Sequence, residues 1–251
     1  MTEQQGRLSD RVVLITGAGT GIGRETALRA AREGAHIGAI GLDGDALDAL
    51  VAEVRAVGRR AEARVADVSD AGALTTAVDG LVDALGSLHV AHANAGTLTH
   101  RTALTDLELD EWNRVLAVDL TGVMLTFRAA VRRFAPEGGL LLASGSSLAI
   151  RPGVGLLPYV AAKAGVHAIA RSLALELAPR AIRVNVIAPG LTDTPMTRAI
   201  EGHIELGLAT VPTGQLVHLN DIAALAVHLM TDEARSVTGS VFTVDAGRTA
   251  V

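Results

Sequence analysis

Short apolar runs at 12–16, 36–40, 61–65, 89–93, 140–143, 184–187 and 241–244 punctuate the chain, with stretches of helical period between them at 23–33, 45–57, 71–85, 109–134, 159–177 and 221–230. This alternation is the pattern of βαβ units and hence of a parallel sheet. The runs carry no polar face, so helices must cover the sheet on both sides. The expected fold is therefore α/β, a doubly wound parallel sheet of about seven strands in a single domain, a size that 251 residues suit. Asp221, after Asn220, is the expected N-cap of the last helix. Only residues 190–219 lack a clear period, and a loop of that length in a compact domain usually serves function as a lid. Within it Met196, Ile200, Ile204 and Leu208 form an apolar stripe at helical spacing.

Composition removes several classes of function. The chain has no Cys, which excludes disulfides, thiolate catalysis and Cys-based zinc sites, and no metal site is expected. A net charge of -5 and only 2% aromatic residues argue against a nucleic-acid partner, which would need clustered cations and stacking rings. Residues 1–11 are polar and mixed in charge, unlike a signal peptide, and no run is long enough to span a bilayer, so a cytoplasmic protein with no membrane partner is expected.

Two features carry chemistry. After the first strand the chain reads Thr16-Gly17-Ala18-Gly19-Thr20-Gly21-Ile22-Gly23 and enters a helix. Glycines there permit a tight turn and close backbone approach to a pyrophosphate, which the helix N-terminus favours through its free N–H groups and its dipole. The second feature is rarity. Tyr159 is the only Tyr, and among 22 Lys and Arg residues Lys163 is the only Lys. They stand four apart at the start of an expected helix and so share a face. A free phenol has a pKa of about 10. An ammonium about 4 Å away attracts a phenolate by about 4 kcal/mol at an effective dielectric of about 20, enough to bring that pKa down towards neutrality.

These segments together resemble the short-chain dehydrogenase/reductase family, whose first turn reads T-G-x-x-x-G-x-G, matched here by Thr16, Gly17, Gly21 and Gly23. Asn94-Ala95-Gly96 resembles the family's N-A-G element beside the adenosine half of the cofactor, and Asp67-Val68 its D-V pair at the adenine. Pro189-Gly190 resembles the turn leading to the nicotinamide, with Thr192 and Thr194 beyond it and Thr194 placed to bond the carboxamide. Thr20 and Ile22 complete the expected cofactor-binding turn. The resemblance implies a Rossmann-like fold and an NAD- or NADP-dependent oxidoreductase. Tyr159 would be the general acid/base, and Lys163 would lower its pKa and hold the nicotinamide ribose. A serine at the end of the fifth strand would bond the reacting oxygen; Ser144, Ser146 and Ser147 compete, alignment with the family pattern selects Ser146, and Ser147 is second.

Two positions depart from the family pattern. Val118-Asp119-Leu120-Thr121-Gly122 carries Asp119 where relatives have an Asn that supports a helix kink and a proton relay, and retained activity with altered pH dependence is the expectation. At the end of the second strand, Ile40-Gly41-Leu42-Asp43 has neither the acid typical of NAD enzymes at position 41 nor a basic residue for NADP. With Thr20 also uncharged and Asp43 nearby, NAD is preferred over NADP. The substrate is expected to be a mostly apolar secondary alcohol or ketone, with Leu156, Leu157 and residues 97–101 completing its pocket. By resemblance the helices at 109–134 and 159–177, and the segment 241–251, would contact further copies in a homotetramer or homodimer. A dinucleotide-binding regulator without turnover, and an epimerase or dehydratase on the same scaffold, are the alternatives.

Overall fold

The computed structural model describes residues 6–250. Residues 1–5 of the N-terminal stretch, and Val251 at the end of the segment expected to contact another subunit, lie outside the described residues. Strands β1 (Val12–Thr16), β2 (His36–Gly41), β3 (Ala61–Val65), β4 (Val90–Ala93), β5 (Gly139–Ser144), β6 (Ile182–Pro189) and β7 (Val241–Val244) form a seven-stranded sheet. Its order is β3-β2-β1-β4-β5-β6-β7, with every pairing parallel. The chain winds outward from β1 to β3, then returns to β4 on the other side of β1. That reversal opens a crevice beyond the carboxyl ends of β1 and β4, the place where ligands bind in doubly wound sheets.

Neighbouring residues of a strand point to opposite faces, so each strand feeds two cores. Val13 and Ile15 pack with α1 (Gly21–Arg32), α2 (Gly44–Ala56) and α9 (Leu219–Met230), through Ala27, Leu47, Leu50 and Val227. Val12 and Leu14 pack with α3 (Ala71–Leu85), α5 (Gly122–Val131) and α6 (Leu157–Leu177), through Leu81, Phe127 and Val166. No helix of the described residues is long and apolar enough to cross a membrane.

The boundaries expected from the sequence need three corrections. The period at 109–134 is not one helix: α4 (Leu109–Leu116) passes through a wide π-helical turn at Ala117–Thr121 into α5. Single π turns inside helices are a recurrent functional device, and this one holds Asp119. Asp221 is not the N-cap of α9; His218 is, and Asp221 sits inside the first turn, where its charge still complements the helix dipole. Finally, 190–219 folds into two short helices, α7 (Pro195–Arg198) and α8 (His203–Leu208). Gly202, at φ 68°, breaks the register between them, so the stripe of Met196, Ile200, Ile204 and Leu208 does not share one helix face. A parallel bridge between Thr192 and Val217 closes the base of this excursion.

Candidate active site

A cavity of about 1140 Å³ lies across the carboxyl end of the sheet. One end is the turn between β1 and α1, where Gly17 and Gly21 take positive φ, 63° and 53°. Gly17, Thr20, Gly21 and Ile22 line the cavity. The first turn of α1 has no acidic residue, and Thr20 makes no side-chain cap, so its N–H groups remain available to an anion. Gly23 does not line the cavity; a Cβ there would stand 2.3 Å from the Gly17 carbonyl oxygen and 2.5 Å from Asn94 Nδ2. Its role is to let α1 close on the turn. Such a cradle fits a dinucleotide pyrophosphate.

Asn94, at the end of β4, ties this turn to the sheet. Its Nδ2 donates to the carbonyls of Thr16 and Gly17 at 3.1 and 3.2 Å, while Thr16 Oγ1 accepts the N–H groups of Asn94 and Ala95, both at 3.1 Å. Asn94 Oδ1 accepts from Ser144 Oγ at 2.9 Å. Since that bond uses the hydroxyl proton, the 3.0 Å contact between Ser144 Oγ and His92 Nε2 is a donation from the imidazole. Asn94, Ala95 and Gly96 all line the cavity. Asp67 and Val68 do not reach it: Asp67 Oδ1 accepts from the N–H and Oγ of Ser69, and Val68 is buried where a Cβ on Gly122 would meet it at 2.7 Å. At the end of β2, Asp43 caps α2 by accepting from the Ala46 N–H at 3.1 Å, and Leu42 is exposed.

In the middle of the cavity stand Asp119, Ser146, Tyr159 and Lys163. α6 starts at Leu157, and Pro158, in its first turn where the missing N–H costs nothing, directly precedes Tyr159. Lys163 is 3% exposed and Asp119 0%. Lys163 Nζ donates to Asp119 Oδ1 and to the Ser144 carbonyl, each at 3.0 Å, which leaves one of its three protons for a ligand. It also lies 5.6 Å from the Tyr159 ring centre. The Asp119 carboxylate further accepts from the Thr97 N–H at 3.0 Å. Gly96 makes room for this pair, since a Cβ there would stand 2.6 Å from Asp119 Oδ1. Of the three serines it is Ser146 whose hydroxyl acts on the Tyr159 phenol, favouring its ionised form; its Oγ also accepts the Leu148 N–H at 3.1 Å. Ser144 serves instead as a structural bridge.

The electrostatics differ from the expectation. Burial pushes the Tyr159 phenol above its ordinary range; the Lys163 ammonium opposes this, but Asp119 works in the same direction as burial. The ammonium alone therefore does not make the phenol acid in the protein without ligand. Burial also works against the charge on Lys163, yet Asp119 and Tyr159 together outweigh it and hold the ammonium above its usual value. The lone Lys is thus a fixed positive charge with its own counterion.

Beyond the end of β6 the crevice is lined by Pro189, Gly190, Thr192 and Thr194. Thr194 caps α7 and exchanges hydrogen bonds with Thr197. Leu156, Leu157, Leu98 and Arg101 also line the cavity. Of the apolar stripe only Met196 does, joined by His203 and Leu206, which that spacing did not select. Arg151 and Arg248 reach the same space with no sequence signal, since nothing distinguishes them among the many other arginines. No group of three or more metal-ligating side chains occurs among the described residues.

A family model described as Enoyl-(Acyl carrier protein) reductase matches residues 17–249. Cyclohexanol dehydrogenase of Acinetobacter sp. (strain SE19) is 33% identical over 97% of this chain and 96% of its own. A short chain dehydrogenase of Burkholderia cenocepacia J2315, solved in complex with NADP, has a TM-score of 0.92 and 35% identity over 97% of this chain and 99% of its own. Carveol dehydrogenase of Mycobacterium avium, solved in complex with NAD, has a TM-score of 0.92 and 30% identity over 98% of this chain and 100% of its own. With a glycine cradle, a Tyr and a Lys in one cavity, and relatives aligned over nearly the whole length, this chain belongs to the short-chain dehydrogenase/reductase family of nicotinamide-dependent oxidoreductases acting on CH–OH groups.

Proposed function

We propose that the chain interconverts a secondary alcohol and a ketone with Tyr159 as general acid/base, Ser146 bonding the reacting oxygen, and Lys163 and Asp119 setting the charge around them. The observation that carries this is the convergence of these four side chains in one cavity with the pyrophosphate cradle. When bound, the oxidised nicotinamide supplies the hydride acceptor and a positive charge beside the phenol. Tyr159 then takes the proton from the carbinol oxygen as the carbonyl forms, and returns it in reduction. Ser146 donates to the same oxygen and to Tyr159 in turn. The third Lys163 proton is free to hold the ribose.

Gly17, Thr20, Gly21 and Ile22 would take the pyrophosphate, Asn94, Ala95 and Gly96 the adenosine side, and Pro189, Gly190, Thr192 and Thr194 the nicotinamide, while Asp67 and Val68, which follow β3 outside the cavity, would meet the adenine only where it projects beyond the cavity rim. NAD is favoured over NADP because Gly41-Leu42-Asp43 offers no cation to a 2′-phosphate. The body of the substrate is apolar, matching Leu98, Leu148, Leu156, Met196 and Leu206 in the cavity wall, and a cyclic alcohol like that named for the Acinetobacter relative suits it. Residues 190–219 act as its lid. Exposed apolar side chains on α4 to α6, among them Leu109 at 68% and Leu175 at 82%, support association with further copies into a homotetramer or homodimer. Absorbance of the reduced cofactor, followed with NAD or NADP and a panel of secondary alcohols including cyclohexanol, tests the reading. Turnover that falls by about 10²–10⁴-fold in Tyr159→Phe supports it; nucleotide binding without turnover of any alcohol sinks it.

A further inference from the structure

Three arginines converge on the cavity from loops that follow different strands: Arg101 after β4, Arg151 after β5 and Arg248 after β7. Arg248 is 7% exposed. Its Nη1 donates to the carbonyls of Arg151 and Ser147 at 2.7 and 3.4 Å, and its Nε to Thr210 Oγ1 at 3.3 Å. Arg151 Nη1 donates back to the Arg248 carbonyl at 2.8 Å, and Arg101 Nη1 to that of Val154 at 2.6 Å. Every one of these partners is neutral. None of the three forms an ion pair among the described residues, whereas Arg7, Arg11, Arg114, Arg133 and Arg198 all do. The nearby Asp245 spends its carboxylate on the N–H of Gly247 and on the N–H and hydroxyl of Thr249.

A fourth group points the same way. His203 on α8 lines the cavity, is 6% exposed, and its Nδ1 has no hydrogen-bond partner among the described residues. Burial and the Arg101 charge hold this imidazole neutral, so it offers a neutral N–H beside the guanidinium cluster. Burial first, then the charges of Arg151 and Arg101, push Arg248 below its usual range, and Asp245 offsets this only in part without pairing directly with any of the three. An anion relieves that cost and completes the hydrogen bonding. The cofactor's phosphates do not meet this need: the pyrophosphate cradle belongs to the β1–α1 turn, and a 2′-phosphate would sit beyond β2, on the far side of the sheet from β5 and β7.

We propose that Arg101, Arg151, Arg248 and His203 form a carboxylate subsite, so that the alcohol this chain oxidises is a hydroxy acid whose carboxylate lies apart from the reacting carbon. This rests on the oxidoreductase reading above and names its substrate class. The experiment measures kcat/KM with NAD and NADP for a series of secondary alcohols from 3-hydroxybutanoate to 8-hydroxynonanoate, each against its methyl ester, in the unmodified protein and in Arg101→Gln and Arg151→Gln. At one or more chain lengths the acid is preferred by at least about tenfold, and each variant cuts that preference about tenfold, through KM. Esters used as well as their acids at every length overturn the subsite and leave the oxidoreductase reading standing. A preference for acid that survives both substitutions overturns the assignment of these residues, and turnover only when a protein carrier presents the substrate transfers the arginines to a carrier-docking role. If neither acids nor esters nor any other alcohol reacts with either nucleotide, both readings fall together.

Discussion

Asp119 Oδ1 stands 3.0 Å from Lys163 Nζ, and both side chains are buried. The pair makes the region around Tyr159 closer to neutral than a lone ammonium would, and it explains why burial wins at the phenol. Alcohol oxidation needs the phenolate, so its rate climbs with pH through the Tyr159 pKa. Asp119→Asn removes the negative charge that raises that pKa while keeping an oxygen that can accept from Lys163 and Thr97. The climbing limb of the kcat/KM profile for oxidation is expected to move to lower pH, with plateau activity within about tenfold of the unmodified protein. Profiles that superimpose would show that Asp119 has no electrostatic hold on the phenol. Asp119→Leu, by contrast, strands a buried ammonium and should cost about 3–5 kcal/mol in denaturant unfolding.

Cofactor choice is open to manipulation at Gly41. A Cβ added there would meet only the Leu47 side chain, at 3.5 to 3.8 Å, which is ordinary contact, and the backbone imposes no positive φ. Gly41→Asp therefore places a carboxylate at the end of β2 with little strain, where it can bond ribose hydroxyls and repel a 2′-phosphate. The ratio of kcat/KM for NAD over NADP is expected to rise by about tenfold or more, a discrimination of the size that a misplaced charge imposes. Steady-state kinetics with both nucleotides measures it; an unchanged ratio would place the ribose elsewhere.

The inner strands are legible because both of their faces are buried, so β1 begins and ends where its apolar run does; the edge strands β3 and β7 keep their expected bounds although Glu62, Arg64 and Val244 are only half-buried and Val65 and Thr243 are exposed. The π turn is not legible. Periodicity resumes on either side of Ala117–Thr121, and one widened turn leaves no composition signal, so 109–134 reads as a single helix. The stripe within 190–219 misleads for the opposite reason: Gly202 is plain in the sequence, but the regular spacing of Met196, Ile200, Ile204 and Leu208 outweighs it, and positive φ at that glycine divides them. Tyr159 and Lys163 were legible as a pair because helix geometry is local. Arg248 was not, since its partners Arg151 and Ser147 lie about a hundred residues earlier in the chain, brought near only by the order of β5, β6 and β7.

Asn94 joins the ends of β1, β4 and β5, and its side chain holds three hydrogen bonds, two donated to the β1 strand end and one accepted from Ser144. At about 1 kcal/mol each, Asn94→Ala should cost about 2–3 kcal/mol. For a chain of this length that is a fall of roughly 5–10 °C in Tm, which calorimetry reads directly. Because the Gly17 carbonyl is one of the partners, NADH affinity measured by fluorescence titration should weaken as well. A variant with normal affinity and lowered Tm would separate the scaffold from the cradle.

His92 makes the last argument, about acid. It is wholly buried in β4, and burial lowers its pKa to about 3. Its Nδ1 has no partner among the described residues, so the folded chain has nowhere to stabilise the imidazolium. In the unfolded chain the same group takes a proton near its ordinary value of about 6.5. Above that pH both states are neutral and His92 costs nothing; between about 6.5 and 3 the unfolded state binds the extra proton, and stability falls as pH falls, by about 1.4 kcal/mol per pH unit. From pH 7 to pH 5 this amounts to about 2 kcal/mol. His92→Gln keeps a donor for Ser144 Oγ and cannot titrate. Urea unfolding at the two pH values should therefore show an acid-induced loss smaller by about that amount in the variant, even if its stability at pH 7 is lower. An equal loss in both proteins would mean that acid sensitivity resides in other groups.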